Sequence, residues 1–261
     1  MAYRDFLEVA GSFTVRESPA ESDRFGRHVM RGTLGQEAAL SDQEVASRIA
    51  ATDFDLMILR YPAERTLFFS ALIESFDGLV LHADTLVYWT LSPESPLSRP
   101  LQDRWIVAEE APTHPVVQES LRKLFSGYTN HYSSNPTLPS EDWLDGYLEW
   151  AEGFDRVASG GERFTLVFRD RTTEMMGGLL LCEFGEDVSE VVLGGVEPWT
   201  RGASLYRHMI AEASWEMRSR STAPCVVAVS TQVQNRAVQR SWAALGMSPS
   251  SAFQTLHLMR I

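Results

Sequence analysis

The stretch Ser189–Leu205 combines the residue types best suited to binding an anion. Val191 and Val192 belong to a β-branched run that loosens at Gly194–Gly195 and turns into Arg201–Ser204, directly before a helical pattern. A strand that ends in a small-residue turn and feeds a helix leaves backbone N–H groups free at the positive end of the helix dipole. The stretch therefore predicts an anion site, and the alternative is an ordinary β–turn–α connection.

Other catalytic sequence patterns do not occur in the chain. It has no G-x-S-x-G elbow, no G-x-x-x-x-G-K-[ST] loop, no G-x-G-x-x-G turn and no H-E-x-x-H pair. Its two cysteines, Cys182 and Cys225, lie in apolar strand-like runs without C-x-x-C or Cys/His ligand spacing. We therefore expect two reduced thiols in the core, neither of them a nucleophile, and no metal site.

Composition and charge narrow the class of partner. The 261 residues are 44% hydrophobic and 22% charged, which is ordinary for a soluble protein of one or two domains. The formal net charge of −12 argues against nucleic acid and anionic membranes, although backbone amides can still hold one phosphate-bearing ligand. Because no apolar run suits a membrane span or a secretory leader, we expect a cytoplasmic protein.

A Pro/Ser-rich run, SPESPLSRP at 92–100, separates the predicted helices and strands into two groups. This linker predicts two domains, 1–100 and 101–261. Residues 1–50 are polar and weakly periodic until a short helix at 41–52, which Ser41 caps. The rest of the first domain predicts a β-α-β-β unit whose order echoes the second domain. Its elements are a strand Asp55–Arg60, a helix Glu64–Ser75 and strands Gly78–Leu81 and Asp84–Thr90.

The second domain alternates its elements more regularly. Pro115 opens an amphipathic helix, Ser140 caps the next, and an irregular aromatic-rich loop Gly127–Pro139 joins them. Gly246 is placed to end the last helix. The predicted strands are Arg104–Ala108, Arg163–Phe168, Gly177–Phe184, 189–196, Pro224–Ser230 and Phe253–Met259, and the predicted helices are Val116–Phe125, 141–152, 203–219 and Asn235–Leu245.

Two motifs stand out within this order. The segment Arg201–Tyr206 matches the pattern R/Q-x-x-G-x-G/A, with Ser204 and Tyr206 at the two small-residue positions. A second segment matches N-x-x-A-x-x-x-Y-x-x-L-G-F through Asn235, Ala237 (one position early), Trp242, Leu245, Gly246 and Met247.

With these motifs, the order β-α-α-β-β-β-α-β-α-β over about residues 103–261 resembles the GNAT superfamily of acyl-CoA-dependent N-acyltransferases. The resemblance implies an α/β (α+β) fold, with a mixed, mostly antiparallel sheet flanked by helices and a smaller, degenerate GNAT-like α/β domain before it. It also implies acetyl-CoA as the acyl donor and direct transfer in a ternary complex, with no acyl-enzyme. The expected partner is a small-molecule amine, and the expected state is a monomer or homodimer.

The resemblance also implies which residues hold the cofactor. In the family, the strand before the turn splays from its neighbour and pairs with the pantetheine arm, and backbone amides corresponding to 202–207 hold the pyrophosphate. The Val196 amide would donate to the oxyanion, and Asn235 would hydrogen-bond the pantetheine. The predicted cofactor-binding residues are Gly194, Gly195, Val196, Arg201, Gly202, Ala203, Ser204, Leu205, Tyr206, Arg207, Asn235 and Trp242.

Trp242 stands at the position of the tyrosine that commonly protonates the leaving thiolate in the family. An indole N–H can donate a hydrogen bond but is far too weak an acid to protonate a thiolate. Either another group or water supplies the proton, or the CoA thiolate leaves without one. A non-catalytic acyl-CoA-binding module is the alternative from a different class.

Transfer to an amine requires the neutral amine, so a base or a water chain must take its proton. His257, on the last strand, would point either into the cleft or to the surface, according to strand alternation. The predicted catalytic residues are His131 and Tyr132 in the loop between the first two helices, His257, and Glu183 and Glu190 on adjacent strands facing the expected cleft.

A looser resemblance bears on the acceptor. The segments ADTLVYW (83–89), NHYSSNP and VSTQVQNRAVQRSW resemble two-domain GNAT proteins that acetylate amino sugars or nucleotide-linked amino sugars. An amino sugar or sugar nucleotide is therefore the predicted acceptor. An amine intermediate of a bacterial natural-product pathway and a peptide N-terminus are the alternatives.

Overall fold

Two compact units, neither continuous in sequence, make up the chain in the computed structural model, which describes residues 9–97, 104–126, 128–139, 142–154 and 162–260. The N-terminal unit covers the described parts of Met1–Val87, Thr129–Trp143 and Ser251–Ile261. The C-terminal unit covers those of Tyr88–Tyr128 and Leu144–Ser250. This grouping differs from the predicted division at residue 100, because the last strand of the chain pairs with a strand of the N-terminal unit.

The N-terminal unit contains elements that the sequence did not predict. Its first strand pair and the helix between them fall in the weakly periodic stretch, and the two strands predicted within 78–90 are one long strand. The described elements are β1 (Phe13–Glu17), α1 (Pro19–Phe25), β2 (Val29–Leu34), α2 (Asp42–Ala51), β3 (Leu56–Pro62), α3 (Phe68–Ser75), the start of β4 (Leu79–Leu91), a 3₁₀ helix (His131–Ser134) and the end of β10 (Ser248–Met259).

The sheet of the N-terminal unit has one apolar face and one face that mixes polar and apolar side chains. Its strand order is β1-β2-β3-β10-β4, in which β2 and β3 are parallel while β1–β2 and β3–β10 are antiparallel. Leu59 and Leu256 pair across β3 and β10 and belong to the core that also contains residues of α2 and α3. Because side chains alternate along a strand, Arg60 and His257 lie on the opposite face.

The C-terminal unit follows the predicted order of elements closely. The predicted cap Ser140 lies outside the described residues. None of the helices in the described part of the chain is long and apolar enough to cross a membrane. The elements are the end of β4, β5 (Trp105–Glu109), α4 (Pro115–Phe125), α5 (Asp142–Glu152), β6 (Glu162–Asp170), β7 (Met176–Phe184), β8 (Val188–Val196), α6 (Leu205–Arg220), β9 (Val226–Gln232), α7 (Arg236–Ala243) and the start of β10.

The sheet of the C-terminal unit is covered on both faces. Its order is β4-β9-β8-β7-β6-β5; β8 and β9 are parallel, and β5–β6, β6–β7 and β7–β8 are antiparallel. Leu180 and Cys182 of β7 pack in a core with α6, whereas Leu179 and Leu181 pack in a second core with α4 and α5. The predicted mixed, mostly antiparallel sheet flanked by helices is confirmed. Both cysteines, including Cys225, are free and buried, as predicted.

A β-bulge interrupts β8 near its middle. Leu181 of β7 pairs with Leu193, but the next residue, Cys182, pairs with Val191. Val192 is therefore an extra residue in β8. Such a bulge bends its strand and increases the local twist.

The bulge falls where β8 leaves β9. Pairing between these strands runs from Val188↔Val226 to Val191↔Val229, although β8 continues to Val196 and β9 to Gln232. The two strands therefore splay toward their carboxyl ends, because the bend at Val192 turns β8 away from its parallel neighbour.

One succession of elements occurs twice in the chain. Apart from α1, which lies between β1 and β2, the series β1-β2-α2-β3-α3-β4 has the same order as β7-β8-α6-β9-α7-β10, and each contains an antiparallel pair followed by a parallel strand. In the first series, β2 pairs with β3 from Val29 to Thr33, which leaves only Leu34 of β2 beyond the pairing. The first series is therefore a closed counterpart of the splayed second series.

Candidate active site

The turn between β8 and α6 presents backbone amides at the start of a helix. A 3₁₀ turn at Pro198–Thr200 is followed by Gly202 at φ +83° and Ser204 at φ +60°, both left-handed. Within the described chain the Ser204 side chain makes no capping hydrogen bond, and its carbonyl accepts from the amide of His208 at 3.3 Å. The amides of the first turn that precede His208 are therefore available to a ligand.

The charges around this helix start also favour an anion. The first turn of α6 contains no acidic side chain, and it includes Arg207. The corresponding helix of the first series, α2, begins with Asp42 and Glu44. Glu44 and Ser41 form the predicted cap as a full capping box, with the Glu44 carboxylate 2.8 Å from the Ser41 amide. Carboxylates of the protein thus occupy the anion position at α2, whereas that position is open at α6.

The two glycines of β8 leave room for leucine side chains that pack against the strand. A Cβ on Gly194 would lie 2.3 Å from Leu180 Cδ2, and one on Gly195 would lie 3.1 Å from Leu124 Cδ2. The Leu180 side chain can approach β8 closely because residue 194 is a glycine. The sequence did not indicate this reason for a glycine at position 194. Both glycines and Val196 lie in the part of β8 that has left β9.

Asn235 lies directly before α7, at the end of the strand that borders the splay. Its Nδ2 donates to Oγ1 of Thr231 in β9 at 3.0 Å, and within the described chain its side chain does not cap the helix. The bond holds the Asn235 side chain beside the carboxyl end of β9, on the opposite side of the splay from Val196.

The structure places Trp242 in the core of the C-terminal unit. Its side chain is 1% exposed, and its ring centroid lies 6.3 Å from that of Trp89. Trp242 therefore packs in the core, and its predicted place in the cofactor site stays a prediction. The Tyr206 hydroxyl approaches the Trp242 indole without forming a hydrogen bond of good geometry, and burial raises the pKa of that hydroxyl.

Three of the predicted catalytic residues meet in the N-terminal unit. His131 Nδ1 lies 3.0 Å from His257 Nε2, and the ring centroids of His131 and Tyr132 are 3.9 Å apart. Asn135 donates through Nδ2 to His257 Nδ1 at 3.1 Å, so Nε2 of His257 carries the proton that it donates to His131. His257 is fully buried, so of its two predicted orientations the one toward the surface is excluded.

Burial sets the charge of these histidines. It lowers the pKa of His257 to about 4, with the charges of Arg31 and Arg60 acting in the same direction. It also lowers the pKa of His131 well below its usual value, assisted by His257 and the same two arginines. Both imidazoles are therefore neutral at pH 7.

Tyr132 belongs to a second buried polar group. Its hydroxyl donates to Glu21 Oε1, and Arg31 binds the same carboxylate through Nε at 2.7 Å and Nη2 at 2.5 Å. Burial alone would raise the pKa of Glu21, but the Arg31 guanidinium lowers it to about 2. Glu21 and Arg31 thus form a bidentate ion pair whose charges cancel.

Glu183 and Glu190 lie on the adjacent strands β7 and β8, as predicted, where they pair with each other and are both buried. Their orientation toward the cleft stays a prediction. Both precede the bulge at Val192, on the side where β8 and β9 remain paired. Arg163 Nε donates to Glu183 Oε2 at 2.8 Å. The carboxylate of Glu183 is therefore paired with a guanidinium of the protein.

The sequence interpretation missed the charged residues of the N-terminal unit. Glu21 and Arg31 lie in the stretch that showed only weak periodicity. Arg60 did carry a signal, because it interrupts the buried apolar strand LMILRYP. A charged residue inside such a strand indicates a polar face on an otherwise apolar element.

The fold of the chain is that of the GCN5-related N-acetyltransferases, as the sequence resemblance implied. It is similar to a GCN5-related N-acetyltransferase from Sphaerobacter thermophilus, with a TM-score of 0.58 and 11% identity over 95% of this chain and 77% of that one. It is also similar to a tandem GNAT protein from the clavulanic acid biosynthesis pathway (TM-score 0.58, 9% identity, 88% and 74% covered). A Drosophila protein gives a TM-score of 0.60 at 10% identity, with 99% and 83% covered.

These identities show the fold alone. No protein-family model matches the sequence, and no curated protein is significantly similar to it. The activity of the chain therefore has to be argued from its own residues.

Proposed function

We propose that the chain is an N-acetyltransferase that moves the acetyl group of acetyl-CoA to the amine of a small molecule. The observation that carries the proposal is the uncapped start of α6, directly after a strand that splays from its neighbour. Free amides at the positive end of a helix suit a pyrophosphate. A strand edge that has left its partner suits an extended arm with amide groups, such as pantetheine.

The residues at the turn fit this cofactor. No atom lies within 4 Å of a Cβ built on Gly202, so the turn is open at that point. The amides of 202–207, apart from that of Ala203, which donates to the Thr200 carbonyl at 3.1 Å, would hold the pyrophosphate with the charge of Arg207. Val196 and Asn235 would border the pantetheine arm. When bound, acetyl-CoA supplies an acyl group activated as a thioester. The Val196 amide would donate to the acyl oxygen as negative charge develops there.

Direct attack by the amine is favoured over an acyl-enzyme. Cys182 is fully buried, and burial raises the pKa of its thiol, so it is not a thiolate at pH 7. In direct transfer the amine nitrogen forms a bond to the acyl carbon, the carbon–sulfur bond breaks, and the amine proton passes to a base or to water. The predicted catalytic set His131, Tyr132, His257, Glu183 and Glu190 stays a prediction.

The acceptor we propose is an amino sugar or a sugar nucleotide, as the sequence resemblance suggests. An amine intermediate of a natural-product pathway is the second candidate, and the tandem GNAT neighbour from the clavulanic acid pathway supports it by its fold. A different function, a module that binds acyl-CoA without catalysis, is the third candidate. It is favoured because the buried Trp242 stands where the family commonly has its acid.

Thiol release distinguishes these candidates. Purified protein is incubated with acetyl-CoA and panels of amino sugars, sugar nucleotides and diamines, and free CoA thiol is followed spectroscopically. We expect release that depends on one class of amine. CoA binding without release for any amine would support the non-catalytic module, and release only with peptides bearing free N-termini would point to protein acetylation.

Gly202→Asp tests the binding site itself. An aspartate there places a carboxylate against the pyrophosphate, so we expect CoA affinity to fall more than about 100-fold by calorimetry, since two like charges in contact cost several kcal/mol. Gly246→Asp is the matched control, because Gly246 has nearly the same φ (+82° against +83°) and equally open space around its Cβ position. The control carries the same backbone strain and should bind CoA normally. Equal affinities in the two variants would refute the site.

A further inference from the structure

Arg60, buried in the N-terminal unit, has no partner among the residues that the structure describes. Arg60 of β3 is 8% exposed, and its side chain makes neither an ion pair nor a hydrogen bond with any residue that the structure describes. Its Nε atom is fully buried and unsatisfied. A buried charge without a counter-ion is strongly unfavourable, so a protein that retains one commonly uses it to bind an ion or ligand.

Polar groups surround this guanidinium on the same face of the sheet. Thr33 of β2 and Thr255 of β10 are the cross-strand neighbours of Arg60, and His257 follows on the same face of β10. Thr255 is fully buried with its hydroxyl unsatisfied. Asn130, which caps the 3₁₀ helix, is 4% exposed with its Nδ2 donor unsatisfied. Counting only described residues, two independent groups on or beside this face therefore lack hydrogen-bond partners.

Among the described residues of this face, one positive charge has no counter-ion. Glu21 and Arg31 cancel in their bidentate pair. His131 and His257 are neutral, and the charges of Arg31 and Arg60 act on both imidazoles, which shows that these groups are close to one another. Within the part of the chain that the structure describes, that charge belongs to Arg60.

We propose that Arg60, Asn130, His131, Thr255 and His257, here called the arginine site, bind the carboxylate group of a small molecule. A guanidinium presents parallel N–H donors that match the two oxygens of a carboxylate. A single excess positive charge matches a monoanion, and the nearby Glu21 carboxylate disfavours a dianion such as phosphate. The unsatisfied donors of Thr255 and Asn130 are available for the remaining lone pairs. The arginine site does not depend on the proposed acetyl transfer.

Arg60→Met tests the arginine site, because methionine keeps an apolar side chain of similar reach and removes the charge. The melting temperature is measured at pH 7 in sodium acetate and in sodium chloride of equal ionic strength. We expect acetate to raise the melting temperature of the wild-type protein by several degrees relative to chloride, as binding to the folded state requires. Without acetate, Arg60→Met should melt above the wild-type protein, and it should not respond to acetate.

Arg65→Met is the control in the same unit. Arg65 already has partners, since it lies 3.0 Å from Asp42 and donates to the carbonyls of Leu40 and Ala38. This variant should melt below the wild-type protein and keep the full acetate response. An acetate response in Arg60→Met equal to that of the wild-type protein would overturn the proposal, as would a stronger response of the wild-type protein to phosphate.

A second measurement keeps the proposal testable if Arg60→Met does not fold. Imidazole NMR signals of the wild-type protein are followed during an acetate titration. The rings of His131 and His257 should shift and saturate, whereas the exposed His82, bonded to Gln254, should not. Equal shifts in all histidines, or none, would overturn the arginine site. CoA affinity measured in Arg60→Met should be normal, so failure here leaves the proposed acetyl transfer untouched.

Discussion

Tyr206 and Trp242, the two bulky departures from the GNAT motifs, are neighbours in the structure. Tyr206 stands where the first motif has a small residue, and it packs against the core cluster that contains Trp242. Trp242 stands where the second motif has a tyrosine, and it is buried in that cluster. Tyr206 and Trp242 therefore lie together. The phenol hydroxyl in this region comes from Tyr206 on α6, whereas the family's tyrosine corresponds to Trp242 on α7.

Trp242→Ala should destabilise the protein strongly. Truncating a fully buried tryptophan removes its transfer free energy and leaves a cavity, so we expect a loss of about 3–5 kcal/mol in the free energy of unfolding, measured in urea. Trp150→Ala is the control, since Trp150 is 41% exposed on α5 and should cost about 1 kcal/mol or less. Equal losses in the two variants would show that Trp242 is not a core residue.

At the scale of elements, the 3₁₀ helix His131–Ser134 is attached to its unit by polar contacts. Asn135 and His131 bond to His257 of β10, and Tyr132 bonds to Glu21 of α1. Such contacts depend on the protonation state of the groups, in contrast to apolar packing. The attachment of this helix should therefore depend on pH.

Stability should fall as the pH is lowered from 7 to 5. The folded pKa of His257 is about 4 and its ordinary value is 6.5, so between these values the unfolded chain takes up a proton that the folded chain excludes. This contribution is complete above about pH 6.5 and is lost as the pH falls toward 4. We expect the free energy of unfolding in urea to be about 2 kcal/mol lower at pH 5 than at pH 7 from His257 alone. The groups that face it are Glu21, Arg31, Arg60, His131 and Tyr132.

Two variants separate this effect from general acid sensitivity. His257→Asn removes one of the two buried histidines with a lowered pKa, so it should reduce the loss of stability between pH 7 and 5 by about 2 kcal/mol, while His82→Asn should keep the full loss. Glu21, whose pKa is about 2 in the folded chain against 4.5 ordinarily, adds a further loss only as the pH falls through that lower range. A wild-type slope in His257→Asn would contradict the assignment.

At the scale of the whole chain, one succession of elements occurs in an open and a closed form. The open series has a bulge, splayed strands and an uncapped helix start. The closed series has continuous strand pairing and a capping box with two carboxylates at the corresponding helix start. Only the open series offers amides and a strand edge to a cofactor.

Each chain should therefore bind one CoA. Calorimetric titration of the full chain is expected to give a stoichiometry of one, because the capping box at α2 fills the anion position of the closed series. A stoichiometry of two, with one site retained in Gly202→Asp, would show that the closed series also binds the cofactor.

The sequence alone determined the features that depend on neighbouring residues. The capping box at Ser41, the helix start after Pro115, the β6–β7 hairpin and the left-handed Gly246 were all predicted from local residue chemistry, and the structure confirms them. The strand–turn–helix at 189–205 was predicted in the same way, because turn and helix-start preferences act over a few residues.

Only the tertiary structure decided which distant residues meet. Strand alternation allowed two faces for His257, but the pairing of β10 with β3 placed it beside Arg60 and His131. The bulge at Val192 depends on the register between β7 and β8, and the burial of Trp242 depends on the core packed around it. These outcomes follow from contacts between segments far apart in the chain, which local propensity and periodicity do not encode.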